Sequence, residues 1–108
     1  MLPHELSFDV YRGDSFRQRL RFLVDGLPED LTDKPILAQV RTSTDLTAKL
    51  VCTFSIARQD ASGIIDIALS PNDTAKLKAG DYAYDIQVGD RTRIAGTITL
   101  VPDVSRGA

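Results

Sequence analysis

Residues 70–88 read SPNDTAKLKAGDYAYDIQV, and this stretch carries the signals for a helix start, a helix end and a strand. Ser70 followed by Pro71 and Asp73 is typical of a helix N-terminus. The serine hydroxyl can accept a hydrogen bond from a free backbone N–H group, and proline suits the first helical position. Gly80 is placed to end the helix in a left-handed conformation. The chain is therefore predicted to turn a corner here, by way of one short helix.

After the helix, the sequence predicts two strands in which apolar and polar residues alternate. Their apolar residues share one face: Tyr82, Tyr84, Ile86, Val88, Ile94, Ile98 and Leu100. A two-residue turn at Gly89 and Asp90 would direct Ile94 to solvent, so we predict a three-residue loop that ends at Arg91. The pairs that this register predicts are Ile86 with Ile94, Tyr84 with Gly96, and Tyr82 with Ile98. Tyr84 is expected to cover the bare backbone of the glycine.

Five earlier segments alternate apolar and polar residues, as half-buried strands do. Their inward residues are Leu6, Phe8 and Val10; Phe16, Leu20, Phe22 and Val24; Ile36, Ala38 and Val40; Leu50, Cys52, Phe54 and Ile56; and Ile65, Ile67 and Leu69. Strands four and five are predicted to form a hairpin with Ile56 opposite Ile65. About seven strands, with one short helix between strands five and six, predict an all-β, immunoglobulin-like antiparallel β-sandwich. A closed barrel is the structural alternative.

The predicted corner matches a feature of immunoglobulin-type sandwiches. Tyr82 lies where such folds often have a corner tyrosine, two residues before the second core cysteine. Tyr84 occupies that cysteine position, and Cys52 is the only cysteine of the chain, so packing must replace the usual disulfide. The residues predicted to build this structural corner are Ser70, Pro71, Gly80, Tyr82 and Tyr84.

The length and the charge of the chain limit its organisation and its partners. A chain of 108 residues is expected to form a single domain over residues 1–108, with residues 1–4 and 103–108 flexible. The N-terminus lacks the basic and apolar regions of a signal peptide, and no apolar run reaches the roughly 20 residues of a membrane span. We therefore expect the protein to start near Met1 and to fold in a reducing cytoplasm. The net charge of −2 favours neither nucleic acid nor a membrane as a partner.

Residues that carry enzyme chemistry do not form a recognisable set. His4 is the only histidine, and Cys52 alternates with core residues, so both are expected to be structural or solvated. The carboxylates of Asp9, Asp66 and Asp85 fall on predicted solvent faces, and no glycine-rich phosphate loop is present. We expect no catalytic, metal or cofactor-binding site, and hence a non-enzymatic protein.

Two groups of outward residues could form surfaces. Arg17, Arg19 and Arg21 make a basic stripe on the second strand, which we expect to lie beside the first and fifth strands. Their expected partners are the carboxylates of these strands rather than phosphates: Glu5, Asp9 and Asp66. Four outward aliphatic residues would mark an assembly interface if they merged into one patch: Leu23, Leu37, Val51 and Ile64. The tripeptide Arg12-Gly13-Asp14 is explained by a turn between two strands.

Four stretches carry a family resemblance: YRGDSFRQRLRF (11–22), DLTDKPILAQVR (30–41), LSPNDTAKLKAGDYAYDIQV (69–88) and AGTITLVPDVSR (95–106). The chain resembles the short immunoglobulin-like proteins of tailed phages and prophages, including the N-terminal domain of baseplate upper proteins. This resemblance implies a virion structural or assembly protein of the tail, baseplate or fibre-attachment region, present in the virion or, during assembly, in the host cytoplasm. Its partners would be other tail or baseplate proteins, or further copies of itself.

The alternative function is a small β-sandwich module that binds carbohydrate or a peptide strand. Carbohydrate platforms usually need exposed aromatic rings. The chain has no tryptophan, and Tyr11 is its only aromatic residue predicted to face outward. The composition therefore favours the assembly role over carbohydrate binding.

Overall fold

Two β-sheets packed face to face form the fold in the computed structural model of the chain, which describes residues 4–42 and 48–102. The elements in chain order are β1 (His4–Glu5), β2 (Phe8–Tyr11), β3 (Phe16–Arg21), β4 (Leu23–Val24), β5 (Leu27–Pro28), β6 (Ile36–Arg41), β7 (Leu50–Thr53), β8 (Ser55–Gln59), a 3₁₀ turn (Asp60–Ser62), β9 (Ile64–Leu69), α1 (Pro71–Lys76), β10 (Gly80–Val88) and β11 (Arg91–Val101). The larger sheet has the order β1-β11-β10-β6-β7, with β2 also beside β11, and the smaller has the order β3-β9-β8. The predicted immunoglobulin-like sandwich is confirmed.

The inward residues of both sheets form one core, and an aromatic cluster lies within it. Phe8, Phe16, Phe54 and Tyr84 form a ring of contacts, with centroid distances between 5.2 and 6.0 Å. Aromatic pairs in such edge and tilted arrangements contribute about 0.5–1.5 kcal/mol each beyond their burial. Tyr84, at the position of the missing core cysteine, contacts Phe8 of the larger sheet and Phe54, and Phe16 of the smaller sheet contacts both of these rings. The cluster thereby links the sheets where related sandwiches have a disulfide.

The hairpin of β10 and β11 has the predicted pairs but a different turn. Ile86 pairs with Ile94, Tyr84 with Gly96 and Tyr82 with Ile98, as predicted. However, Val88 pairs with Arg91, so the turn contains only Gly89 and Asp90. A register shift follows, because Gln87 pairs with Thr92 and Arg93 is left as the extra residue of a β-bulge. The bulge restores the inward direction of Ile94, so a two-residue turn and a dry face are compatible here.

The predicted fourth strand is two strands in different sheets. β7 pairs with β6 in the larger sheet, β8 pairs with β9 in the smaller one, and buried Phe54 joins them. A bulge in β7 places Leu50 opposite Arg41 and Cys52 opposite Val40, with Val51 as the extra residue. Because the alternation breaks at the bulge, Leu50 is exposed and Val51 packs against the core, contrary to the prediction for both.

The hairpin of β8 and β9 differs from its predicted register by two residues. Ile56 pairs with Ile67 rather than with Ile65. The 3₁₀ turn and Gly63 form the connection, a loop of four residues (60–63). A shift of two residues leaves every side chain on its original face, so the core pattern survives the different register.

The first predicted strand lies in the larger sheet. The prediction that it lies beside the arginine stripe of the second strand is therefore wrong. Both β1 and β2 run parallel to β11, and β3 pairs with β9 alone. Glu5 and Asp9 are therefore not cross-strand partners of the arginines. His4 pairs with Ile94 in β1 instead of lying in a free terminus. The remaining residues predicted to be flexible, 1–3 and 103–108, lie outside the described residues.

Candidate protein-contact surface and the corner beside it

The corner helix begins with the capping arrangement that its sequence favours. The Asp73 N–H donates to Ser70 Oγ, and the Ser70 N–H donates to Asp73 Oδ2, each at 3.1 Å. Pro71 is the first helical residue. The helix ends at Lys76, because buried Leu77 adopts an extended conformation. Gly80 therefore does not end the helix as predicted. It is the first residue of β10 and has a φ of +140°.

The Arg12-Gly13-Asp14 turn is attached to the end of this helix. The Arg12 guanidinium donates from Nε to the carbonyl of Leu77 at 2.6 Å and from Nη2 to the carbonyl of Ala75 at 2.8 Å. A cation on the last helical carbonyls offsets the negative end of the helix. Thr74 Oγ1 accepts from the Gly13 N–H and donates to the Asp14 carbonyl. This use of Arg12 gives the tripeptide a structural role.

The two corner tyrosines each donate a hydrogen bond to backbone. Half-buried Tyr82 donates from its hydroxyl to the Lys78 carbonyl at 2.8 Å, the geometry of a tyrosine corner. Tyr84 is buried and donates to the Leu6 carbonyl at 2.6 Å, and burial raises its pKa to about 12. A Cβ on Gly96 would lie 1.8 Å from that same Leu6 oxygen, so the backbone of Leu6 lies directly over the glycine. The residues of this corner hold backbone rather than present a site.

Strand β3 pairs on one side only with the strands of residues 4–42 and 48–102, and its other side is an open edge among these residues. The Phe22 N–H donates to the Gly63 carbonyl at 2.7 Å, which sets the phase of hydrogen bonding to β9. Since backbone groups alternate between the two sides of a strand, those of Arg17, Arg19 and Arg21 point away from β9. No other strand among the described residues pairs with this side of β3. Such an edge presents free donors and acceptors to another chain.

A groove of about 430 Å³ runs beside this edge, between the two sheets. The described residues that line it combine apolar and basic side chains and include no carboxylate: His4, Leu6, Gln18, Arg19, Leu20, Arg21, Phe22, Leu23, Arg93 and Ile94. Arg19 is paired through Nε and Nη2 with Asp66 at 2.9 and 3.2 Å, which confirms one of its predicted ion partners. This hydrogen bonding raises the pKa of Arg19 and lowers that of Asp66. Arg21 has no ion pair within the described residues.

The hairpin of β4 and β5 extends the groove with exposed aliphatic residues. Leu23, Val24 and Leu27 are 50%, 52% and 68% exposed. Asp25 and Gly26 both have positive φ angles, 52° and 79°, as the mirror-image hairpin turns require. Large exposed apolar side chains grouped on one ribbon are typical of surfaces that contact other proteins. The sequence pattern places Val24 inward on the second strand. In the structure β3 ends at Arg21, and Val24 is exposed on the ribbon.

A buried ion pair supports the base of the hairpin. Glu29 is 7% exposed and accepts two hydrogen bonds from Arg93, at 2.9 and 2.8 Å, and one from Lys34 at 3.0 Å. The bonds from Arg93 are the main reason that the pKa of Glu29 falls to about 2 from its ordinary 4.5. The Arg93 guanidinium also lies 5.3 Å from the ring centre of Phe22. The pair thus joins the β5–β6 connection to β11.

The four predicted interface residues do not form one patch. Leu37 is on the outer face of the larger sheet, Ile64 is half-buried on the outer face of the smaller one, and Val51 contacts the core. Leu23 alone belongs to the groove and hairpin. We name the open edge of β3, the groove and the β4–β5 ribbon together the β3 surface.

Other potential sites offer less chemistry. Cys52 packs against the core, and burial raises the pKa of its thiol. Asp85 has a buried oxygen, Oδ1, that accepts no hydrogen bond from the described residues, and desolvation raises the pKa of its carboxyl. Within residues 4–42 and 48–102 no three His, Cys, Asp or Glu side chains are grouped to hold a metal ion. In the same ranges no helix is long and apolar enough to cross a membrane.

Comparisons with known proteins identify similar folds but no family. No protein-family profile matches the sequence, and no curated protein matches it. Among solved structures, the fold is similar to the N-terminal domain of phage TP901-1 ORF48, with a TM-score of 0.57 and 10% identity over 93% of this chain and 98% of that domain. The NK cell receptor Nkp44 aligns with a TM-score of 0.49 and 12% identity, over 95% of this chain and 100% of that one. A structure from a study of VGSC beta subunits aligns at 0.41 and 13%, over 92% of each chain.

Proposed function

We propose that this chain is a non-enzymatic structural or assembly protein of a phage or prophage tail or baseplate, and that it acts by binding other proteins. The observation that carries the proposal is the similarity to the phage ORF48 domain, which extends over nearly the whole of both chains. The sequence resemblance, made on different grounds, points to the same class. The 108 residues act as one domain in this proposal.

The β3 surface supplies the means of contact. It combines an unpaired strand edge, an apolar ribbon and a groove without carboxylates, which are features of surfaces that take a protein partner. The polar network around Glu29 and Arg93 supports the ribbon from beneath. A rigid base reduces the entropy lost when a partner docks, and so favours binding. Partners in this proposal are neighbouring tail or baseplate proteins, with self-association as the second mode.

Light scattering across a range of concentrations tests the proposal, with and without the proteins encoded on either side of the gene. We expect complexes of defined mass. Leu27→Asp should weaken them, because it puts a charge at the most exposed position of the ribbon. Leu50→Asp is the matched control, since Leu50 is also exposed but lies on β7, at an edge of the larger sheet. An inert monomer under all conditions, or equal effects of the two variants, would contradict the proposal.

A clear, competable hit on a glycan array would instead favour the carbohydrate-binding alternative. Six of the seven aromatic residues are buried or half-buried, and only Tyr11 is exposed, at 54%. This leaves few rings on which a sugar could stack.

A further inference from the structure

We propose that the partner contributes an extended, acidic segment that pairs with the open edge of β3 as an added strand. This inference rests on the proposed function and specifies the chemistry of the contact. Strand addition obtains its affinity from main-chain hydrogen bonds and its specificity from alternate side chains. The β3 surface offers both.

The backbone of β3 offers an almost complete ladder. Arg17, Arg19 and Arg21 direct three N–H groups and three carbonyls away from β9. Of these six groups, the Arg19 carbonyl accepts a hydrogen bond from Gln18 Nε2 at 3.1 Å. A weak, exposed bond of this kind can be exchanged for one to a partner strand. The six residues of β3 match a strand segment about 20 Å long.

The opposite edge of the same sheet is not equally open. On β8, Arg58 donates from Nη2 to the carbonyls of Leu31 and Lys34, at 3.0 and 2.8 Å. The Leu31 N–H also donates to the Asp60 carbonyl, just beyond the strand. The β5–β6 connection thus covers the end of β8. Within the smaller sheet we therefore assign strand addition to β3 rather than to β8.

The arginines of β3 select an acidic segment, and the groove beside them selects apolar residues within it. Side chains of an added strand would alternate between the groove and the outer face of the smaller sheet. The groove presents Leu6, Leu20 and Ile94, which suit apolar residues, and the outer face presents the arginines of β3. Arg21 is free to pair with a partner carboxylate, because no described carboxylate pairs with it. A segment that alternates acidic and apolar residues satisfies both faces.

Basic residues on an edge strand also protect against unwanted pairing. That role alone would not require an apolar groove beside the edge. The two roles differ in their effect on an acidic strand. An edge that docks a partner would bind such a strand, whereas arginines that only protect the edge would not. Peptide binding therefore separates them.

The test uses a fluorescein-labelled peptide with the sequence Thr-Val-Glu-Val-Glu-Val-Glu-Thr and measures its anisotropy against the full chain. We expect saturable binding. Replacing every glutamate by lysine should abolish it. N-methylation of the glutamate amides should abolish it too, because in antiparallel pairing opposite the arginines these amides face β3, and methylation removes the ladder donors without changing the charge. Arg21→Glu should weaken binding by about tenfold or more, as expected for charge reversal beside a carboxylate. Lys49→Glu is the control for net charge, because Lys49 is exposed and lies next to β7; it should change binding less than about twofold.

Three results would overturn the inference. They are the absence of binding by the acidic peptide, equal binding of the N-methylated peptide, and equal effects of Arg21→Glu and Lys49→Glu. Thermal melts of both variants verify that they fold. A chain that assembles with tail proteins but binds no peptide would refute strand addition and leave the proposed function standing.

Discussion

Gly96→Ala should destabilise the protein strongly, because the backbone of Leu6 occupies the space of the new side chain. The added Cβ would lie 1.8 Å from the Leu6 carbonyl oxygen and 2.8 Å from its carbon. These are backbone atoms, so a side-chain rotation cannot relieve the clash. The segment between β1 and β2 must move away from β11.

This movement affects two hydrogen bonds. The Leu6 N–H donates to the Ala95 carbonyl at 3.1 Å, and the Tyr84 hydroxyl donates to the Leu6 carbonyl at 2.6 Å. Each contributes about 0.5–1.5 kcal/mol, and a buried hydroxyl left unpaired costs about 1–3 kcal/mol. Overpacking adds about 1–3 kcal/mol. Since these effects overlap, we expect a loss of about 3–5 kcal/mol in the free energy of unfolding.

Urea denaturation and thermal melting measure the loss. At roughly 4–8 °C for each kcal/mol, Tm should fall by at least about 12 °C. Thr97→Ala, at the next position of β11, should change the free energy of unfolding by no more than about 0.5–1 kcal/mol. Tyr84→Phe should cost about 1 kcal/mol in the parent but almost nothing in the Gly96→Ala background, where its acceptor has moved. A Gly96→Ala protein that melts like the parent, or full additivity of the two changes, would refute the close approach of Leu6.

Three further outcomes follow from the corner and the ion pair. Arg12→Ala should lower the free energy of unfolding by about 1–2 kcal/mol, because it removes the cation at the helix end; equal urea midpoints would count against this role. Tyr82→Phe should cost about 0.5–1.5 kcal/mol by removing the bond to Lys78, and an unchanged melting curve would argue against the corner. Glu29 has a pKa near 2 when folded and near 4.5 when unfolded, so its stabilisation is present above pH 4.5 and is lost as the pH falls toward 2. Glu29→Gln should flatten stability across this interval. Because it leaves Arg93 without a charged partner, it should also lower stability at pH 7 by about 1–3 kcal/mol, whereas a parallel pH profile would contradict the assignment.

Local signals in the sequence predicted the corner and the last hairpin well. Ser70 and Asp73, which cap the helix, are three residues apart. The alternation of apolar and polar residues from Tyr82 onward identifies which side chains of the strand face the core. Such features depend on neighbouring residues, so a single sequence contains them. The same holds for the Asp25-Gly26 turn, whose apolar flanks are typical of a hairpin.

Features that depend on distant parts of the chain could not be predicted. The bulges at Val51 and Arg93 arise from pairing across strands, and no residue type marks the extra position. The first strand can satisfy its alternation in either sheet, so its pattern does not reveal that it leaves β3 open. The pairing of Glu29 with Arg93 joins residues 64 positions apart. The candidate surface consists almost entirely of such long-range features, which is why the sequence identified only Leu23 and the arginines.

Amide hydrogen exchange, read residue by residue by NMR, tests the central claim most directly. In the free chain the amides of Arg17, Arg19 and Arg21 should exchange rapidly, while those of Gln18 and Leu20, bonded to β9, should be protected and serve as internal references. In a complex with a tail partner, the three arginine amides should become protected and their neighbours should change little. A stable complex in which these three amides exchange as rapidly as before would contradict the claim that the chain binds its partners through the open edge of β3.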